Sequence, residues 1–423
     1  MLSNLSNWKK FLVILLGMLI ASLTFSCTDK CTDSYTYIEY TPQYVSLEAM
    51  RSSFSIEPPT PIEKSGKIYL YKTTLFVTEP GKGIHVIDNS NPSIPIHKNF
   101  IQLEGVHDVT VKDNTLYADS YMDLVVIDIE DMNNIQQIRR LENVFNNYYP
   151  YSDQPGMFIA GYDESNAVQM SASDCDRESY FWRGPVLFLD ATIASTGSSE
   201  SVIGMSGSMA RMNIVGNYLY GIDDWEMSIF DLSDLQFPTE AANVSVGWRI
   251  ETIFPYENNL FIGAADGMYI FDNSNPLAPS LLSKFNHARA CDPVVVQDDI
   301  AFVTLRNGTE CDGFANQLDV VDISNLNNPT LLFSHPMQNP HGLGVKGDAL
   351  FICEGEYGLK LFDKSDLSKI GDHLQNWVTD INAYDVIPLD NGLLIMIGED
   401  GLYQFDYSEP SKIKLLSVIL TEQ

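Results

Sequence analysis

The chain has 423 residues, 45% of them hydrophobic and 11% aromatic, enough for one large all-β domain or two to three ordinary ones. Its 25 basic residues face 56 acidic ones, a formal net charge of −31. Such a surface repels phosphate backbones and argues against nucleic acid as a partner; it favours cations or basic partners, and it keeps a protein soluble.

Residues 1–26 differ from the rest. Lys9 and Lys10 precede FLVILLGMLI (11–20), a run too short to span a bilayer and suited to a secretory signal core. SLTFSC follows, ending at Cys27. A cysteine directly after such a core resembles a bacterial lipoprotein cleavage site, where the thiol is lipidated, although Thr24 stands where that pattern has leucine. Ordinary signal-peptide cleavage is the alternative. No second long apolar run exists, so membrane attachment is expected through lipid, with residues 27–60 as tether and N-terminal segment. Export would leave Cys31, Cys175, Cys291, Cys311 and Cys353 in a disulfide-permissive compartment.

From residue 61 onward the chain repeats itself. GIHVIDNSNPSIP (83–95) returns as GMYIFDNSNPLAP (267–279), and the same apolar run ending in aspartate recurs as LVVID, MSIFD, LDVVD, LKLFD and LYQFD. The aspartates fall at 88, 128, 231, 272, 322, 363 and 406. Each opens a polar turn, where an Asp side chain bonds a backbone N–H two residues on. Upstream of each copy lie two apolar strands joined by a tight turn, as in HDVTVKDNTLYAD (107–119) or GLGVKGDALFICE (342–354). A looser fourth strand follows, such as IQQIRRL (135–141).

Four short strands every ~40–45 residues predict a β-propeller, all-β, with seven blades of four antiparallel strands. One interval of 50 holds an enlarged loop, RNGTECDGFAN (306–316), and the interval of 103 holds an extra stretch, 143–207. That stretch contains PVLFLD (185–190) without a preceding hairpin, so it reads as an insertion; an eighth, degenerate blade is the alternative. Its aromatics, among them Tyr148, Tyr162 and Trp182, suit either recognition or a packing flap.

These runs, with GSMARM (207–212), ETIFP (251–255), CDPVVV (291–296), VTLRNGTECDG (303–313), NQLDVVDIS (316–324) and PHGLGV (340–345), resemble the LVIVD-repeat family, in particular exported lipoproteins of Bacteroidetes-type bacteria. The resemblance implies a propeller in the cell envelope and carries no activity with it.

In a propeller the innermost strands line the channel. Aligning the hairpins brings His107, Glu251, Asp292, His341 and Tyr384 to one channel mouth, with Asp108, Arg211 and Asp385 at the next position. Glu79, Asp119, Asp223, Asp266, Glu354 and Glu399 come from the loops between second and third strands. One reading is an acidic binding face for a cation, a sugar-like ligand or a basic peptide; the other is that these groups hydrogen-bond neighbouring blades together. Cys291 and Cys311 fall on the same face, so a disulfide is expected, with a metal pair as the alternative that lacks matching ligand spacing. There is no HExxH, Walker-type loop, EF-hand loop or GxSxG. No metal or cofactor is expected.

The function these features point to is a non-enzymatic binding scaffold, monomeric and lipid-anchored in the outer membrane, facing the periplasm or the cell surface. Its partner would be a polar ligand or an envelope protein. The alternative is an envelope hydrolase or lyase with His107, Asp108, Glu251 and His341 as acid/base groups.

Overall fold

The runs that precede each repeated aspartate are strands, and burial explains why they are apolar throughout. Second and third strands such as Thr74–Glu79 and Gly83–Asp88 are buried along almost their whole length, whereas the fourth strand Ile96–Gln102 is exposed or half-buried except at Ile101. A blade is clamped between two neighbours, so its inner strands are covered on both faces and only the outermost meets solvent. The structure is a computed structural model and describes residues 33–145, 157–172, 204–247, 249–286, 293–307 and 316–422. The expectations for Cys27, Cys31, Cys175, Cys291, Cys311, Asp292 and PVLFLD lie outside the described residues.

The chain divides into two units, 44–160 with 185–423, and 1–43 with 161–184. In the smaller unit the described residues belong to a two-stranded sheet, Asp33–Ser46 with Met157–Ala172. The larger unit is the propeller. Its seven blades span 68–102, 109–141, 212–245, 250–285, 294–336, 343–378 and 383–420, each a four-stranded antiparallel meander from the axis outward. The stretch after residue 141 interrupts the repeat between blades 2 and 3, and the count among the described residues is seven blades.

Apolar clusters join consecutive blades around the ring. Tyr69, Ile84 and Val109 join blades 1 and 2, Leu124 and Met212 blades 2 and 3, and Tyr220 and Leu260 blades 3 and 4. Phe261, Phe302 and Leu350 run through blades 4, 5 and 6, and Phe351 and Met396 join blades 6 and 7. Ile68, Leu75, Ile387 and Ile395 close blade 7 onto blade 1. A parallel bridge between Ile62 and Thr421, with Glu422 N–H donating to the Ile62 carbonyl at 2.8 Å, fastens the two ends of the ring.

The repeated aspartate does what its position predicts. In all seven blades its Oδ1 accepts the backbone N–H two residues on, as from Ser90 to Asp88 at 3.0 Å and from Ser324 to Asp322 at 2.8 Å. In every blade the pairing of third and fourth strands slips one residue ahead of this turn, for example between Val86 and Ile87 and between Gln404 and Phe405. Such bulges increase local twist, which lets a sheet splay from a narrow axis to a wide rim.

Within the segment expected as a tether, residues 44–57 are docked on the propeller. Ser55–Glu57 adds a further strand to the outer edge of blade 1. The helical turn Leu47–Arg51 brings Arg51 to the buried Asp123 of blade 2, Nε at 2.9 Å and Nη2 at 3.0 Å, where Arg140 also reaches Asp123 at 3.2 Å.

Candidate functional site

The register of the inner hairpins sets the geometry of the channel mouth. The carbonyls of Lys67, Asp108, Arg211, Pro293 and Gly342 each accept an N–H from the second strand of the same blade, from Thr78, Asp119, Ile222, Thr304 and Cys353. These residues are therefore equivalent positions on five blades, at the entry of the first strand.

The axis beneath them is occupied. Met205–Ser206 pairs with the innermost strand of blade 1, opposite Leu70 and Tyr69. Gly204 N–H donates to the Val111 carbonyl of blade 2 at 3.2 Å, and the Ala210 carbonyl accepts Ile253 N–H of blade 4 at 2.8 Å. Ser208 reaches blades 6 and 7. Its N–H donates to both Asp385 oxygens at 2.8 and 3.0 Å, its hydroxyl donates to Asp385 Oδ1 at 2.7 Å, and the same hydroxyl accepts Leu343 N–H at 2.7 Å. A segment bonded to the inner strands of blades 1, 2, 4, 6 and 7 lies on the axis, so residues 204–210 form a plug. Gly342 is required beside it, because a Cβ there would come within 2.2 Å of Asp385 Oδ1 and 2.4 Å of Ser208 Oγ.

Asp108 anchors the exit of the plug. Its Oδ2 accepts Arg211 N–H at 2.7 Å and Met212 N–H at 2.9 Å, and its Oδ1 accepts Val109 N–H at 2.8 Å. The buried Lys67 ammonium donates to the Met209 carbonyl at 2.9 Å and lies 3.9 Å from Asp108. Asp119 Oδ1 accepts the N–H groups of His107 at 2.6 Å and Asp108 at 2.8 Å. Burial raises the Asp108 carboxyl above its usual range despite Lys67 and three backbone donors, and it pushes Asp119 up to about 7. Burial, with Arg211 and Lys67 nearby, lowers His107 to about 3.

A second group forms on blades 6 and 7. The His341 ring packs on Tyr384 with centroids 5.1 Å apart, and the Tyr384 hydroxyl donates to Glu399 Oε2 at 3.1 Å. Burial, then the Arg306 charge, lowers His341 to about 3, while burial and Glu399 raise the Tyr384 phenol. His107 on blade 2 and His341 on blade 6 stand four blades apart in one direction and three in the other. Glu251 is buried on blade 4, and Arg211 reaches Asp224 Oδ1 at 3.3 Å. The eight expected positions thus separate into Asp108, His107 and Arg211, the pair His341 and Tyr384, and Asp385 on the plug, with Glu251 buried on blade 4 and Asp292 outside the described residues.

The loop acids are largely engaged. Glu79 holds His85 at 3.0 Å and Lys82 at 2.9 Å, Asp223 accepts the N–H groups of Trp225 and Glu226, Asp266 holds Lys284, and Glu354 holds Lys360 at 3.1 Å. Ser208 had no signal in strand alternation. The signal available was GSMARM itself, a short run of small and apolar residues that fits no strand of the repeat.

Three stretches, 67–101, 206–246 and 313–335, match the LVIVD repeat, the second of them beginning inside the plug. No curated protein matches the sequence. Among solved structures, Saccharomyces cerevisiae Sqt1 aligns over 86% of this chain and 87% of its own, at 10% identity and a TM-score of 0.50. A functionally unknown protein from Desulfotomaculum acetoxidans DSM 771 aligns over 84% of this chain and 95% of its own, at 11% identity and a TM-score of 0.50. These likenesses are of fold alone. Among the described residues the chain is a seven-bladed β-propeller, and it contains LVIVD repeats.

Proposed function

We propose that this protein is a lipid-anchored envelope scaffold that binds a polar ligand or an envelope protein through its channel-mouth face, without catalysis. The plug carries this reading. It engages Asp385 and Asp108 in backbone hydrogen bonds and fills the axis where a propeller enzyme would need its substrate. The chemistry of the histidines supports it as well. A general acid or base works best with a pKa near the operating pH, and His107 and His341 lie near 3. The basic start, short apolar core and Cys27 support lipid attachment at the outer membrane, facing the periplasm or the cell surface, and the LVIVD repeats support kinship with exported proteins of that type.

On this reading His107, Arg211, His341 and Tyr384 face the partner, with Asp292 assigned to the same rim from its sequence position, while the buried Asp108, Asp385 and Glu251 shape the surface from beneath. The test is photo-crosslinking in cells from a probe at Tyr384, with a probe at Ser274 on the opposite face as the control. The reading expects a discrete adduct from the mouth only, lost in the Glu251→Gln/His341→Gln double variant while melting stays within a few degrees. An adduct from Ser274 alone, or one insensitive to the double variant, contradicts it.

A further inference from the structure

Away from the channel, the boundary between blades 5 and 6 carries a shallow, open groove of about 170 Å³, lined by Pro336, Met337, Gln338, Lys360, Leu374 and Trp377 among others. That is smaller than the ~300–1,000 Å³ of drug-sized ligand clefts, so the groove can seat one face of a small ligand. Its floor is held in place, since His335 Nε2 of blade 5 lies 3.0 Å from the Leu367 carbonyl, where the helical turn Leu367–Asp372 of blade 6 begins.

Three features of the groove define what it can take. Trp377 is 45% exposed, yet its indole N–H is already given to the Tyr357 carbonyl at 2.6 Å. The ring is therefore pinned and offers aromatic surface instead of a donor. The Lys360 ammonium lies 3.1 Å from the buried Glu354 carboxylate, donates to Gln338 Oε1 at 2.7 Å and sits 5.1 Å from the Trp377 ring centroid. Its charge is compensated within the protein. Gln338 spends its oxygen on Lys360, and its two amide hydrogens have no acceptor among the described residues.

We propose that this groove is a binding site for a neutral pyranose sugar. A charged ligand would find no uncompensated charge. A wholly apolar one would strip water from Gln338 and Lys360 without replacing its hydrogen bonds. A pyranose has an apolar C–H surface for Trp377, Met337 and Leu374, and hydroxyl acceptors for the Gln338 amide. The site is separate from the channel mouth and stands whether or not the mouth binds a partner.

The full-length protein, solubilised in detergent, is titrated with maltose, cellobiose and N,N′-diacetylchitobiose by calorimetry and tryptophan fluorescence. At least one disaccharide is expected to bind in the millimolar range or tighter, with Trp377→Ala weakening it at least about tenfold and Trp377→Phe much less. Gln338→Ala weakens it too, and Glu251→Gln/His341→Gln leaves it unchanged. Thermal unfolding of Trp377→Ala confirms that the loss is local. Absence of binding by all three sugars, or binding indifferent to Trp377→Ala, overturns the proposal. So does Trp377-dependent binding of a synthetic peptide of residues 53–59, which contains the strand added to blade 1, with no response to sugar: the groove would then be a protein surface.

Discussion

Ser208 and Asp385, 177 residues apart in sequence, close the propeller axis with three hydrogen bonds of 2.7 to 3.0 Å between a buried carboxylate and one serine. The segment that carries Ser208 is tied to five blades, so the axis is a polar core made from the chain itself.

Removing the carboxylate should expose how much the ring depends on that core. Asp385→Ala leaves the Ser208 N–H and hydroxyl buried without an acceptor, at about 1–3 kcal/mol for each group. A clear fall in the denaturation midpoint is expected, with a smaller fall for Asp385→Asn, which keeps one oxygen. An unchanged midpoint in the alanine variant would show that Asp385 does not hold the plug.

The pH dependence of stability should have two limbs of opposite sign. Asp88, Asp231, Asp272, Asp322, Asp363 and Asp406 are lowered below 3.8, first by the serine hydroxyl two residues on. Their support is present above that value and is lost as the pH falls through their lowered pKa values. Asp119 is raised from 3.8 to about 7 by burial. Its contribution is complete below 3.8 and is lost as the pH rises through about 7. Asp119→Asn keeps an oxygen for the N–H groups of His107 and Asp108 and carries no charge. It should flatten the upper limb and leave the acid limb intact, as read from urea midpoints across the pH range.

Lipid attachment has a direct chemical test. Cys27→Ser should move the protein from the membrane fraction to the soluble one. Retention in membranes would show that Cys27 is not the anchor.

The cysteines divide by environment. Cys353 is buried at the end of the second strand of blade 6, and burial, with Asp385 and Glu354 nearby, holds its thiol well above the usual range. It should resist alkylation until the protein unfolds. Cys291 and Cys311 are expected as a disulfide closing a loop of about twenty residues, for which chain entropy gives roughly 3 kcal/mol. Non-reducing peptide mapping of the native protein decides this, and recovery of either as a free thiol contradicts it.

Most of the fold was legible because its information is local. The run ending in Asp88 or Asp322 marks a third strand, the carboxylate marks its turn, and the hairpin turns mark strands one and two. Period and spacing then gave the blade count and the equivalence of Asp108 and Arg211. The plug was not legible, because Met205 and Ser206 pair with Leu70 and Tyr69 across about 135 residues and no periodicity records such a partner. Residues 44–57 were hidden for the same reason, since Arg51 finds Asp123 across 72 positions. The acids at the mouth were countable in the sequence, but their occupancy was not. Glu79 and Glu354 look free until His85, Lys82 and Lys360 are placed beside them.

Hydrogen–deuterium exchange of the backbone amides of residues 204–212 decides whether the axis is plugged. A plugged axis predicts that Ser208 N–H, held by Asp385, and the Arg211 and Met212 N–H groups, held by Asp108, exchange as slowly as the inner strands of blades 1 and 7. Asp385→Ala should accelerate Ser208 before those strands. Exchange of this segment at the rate of an open loop, with the inner strands still protected, would contradict the account, because the axis would then be an open channel.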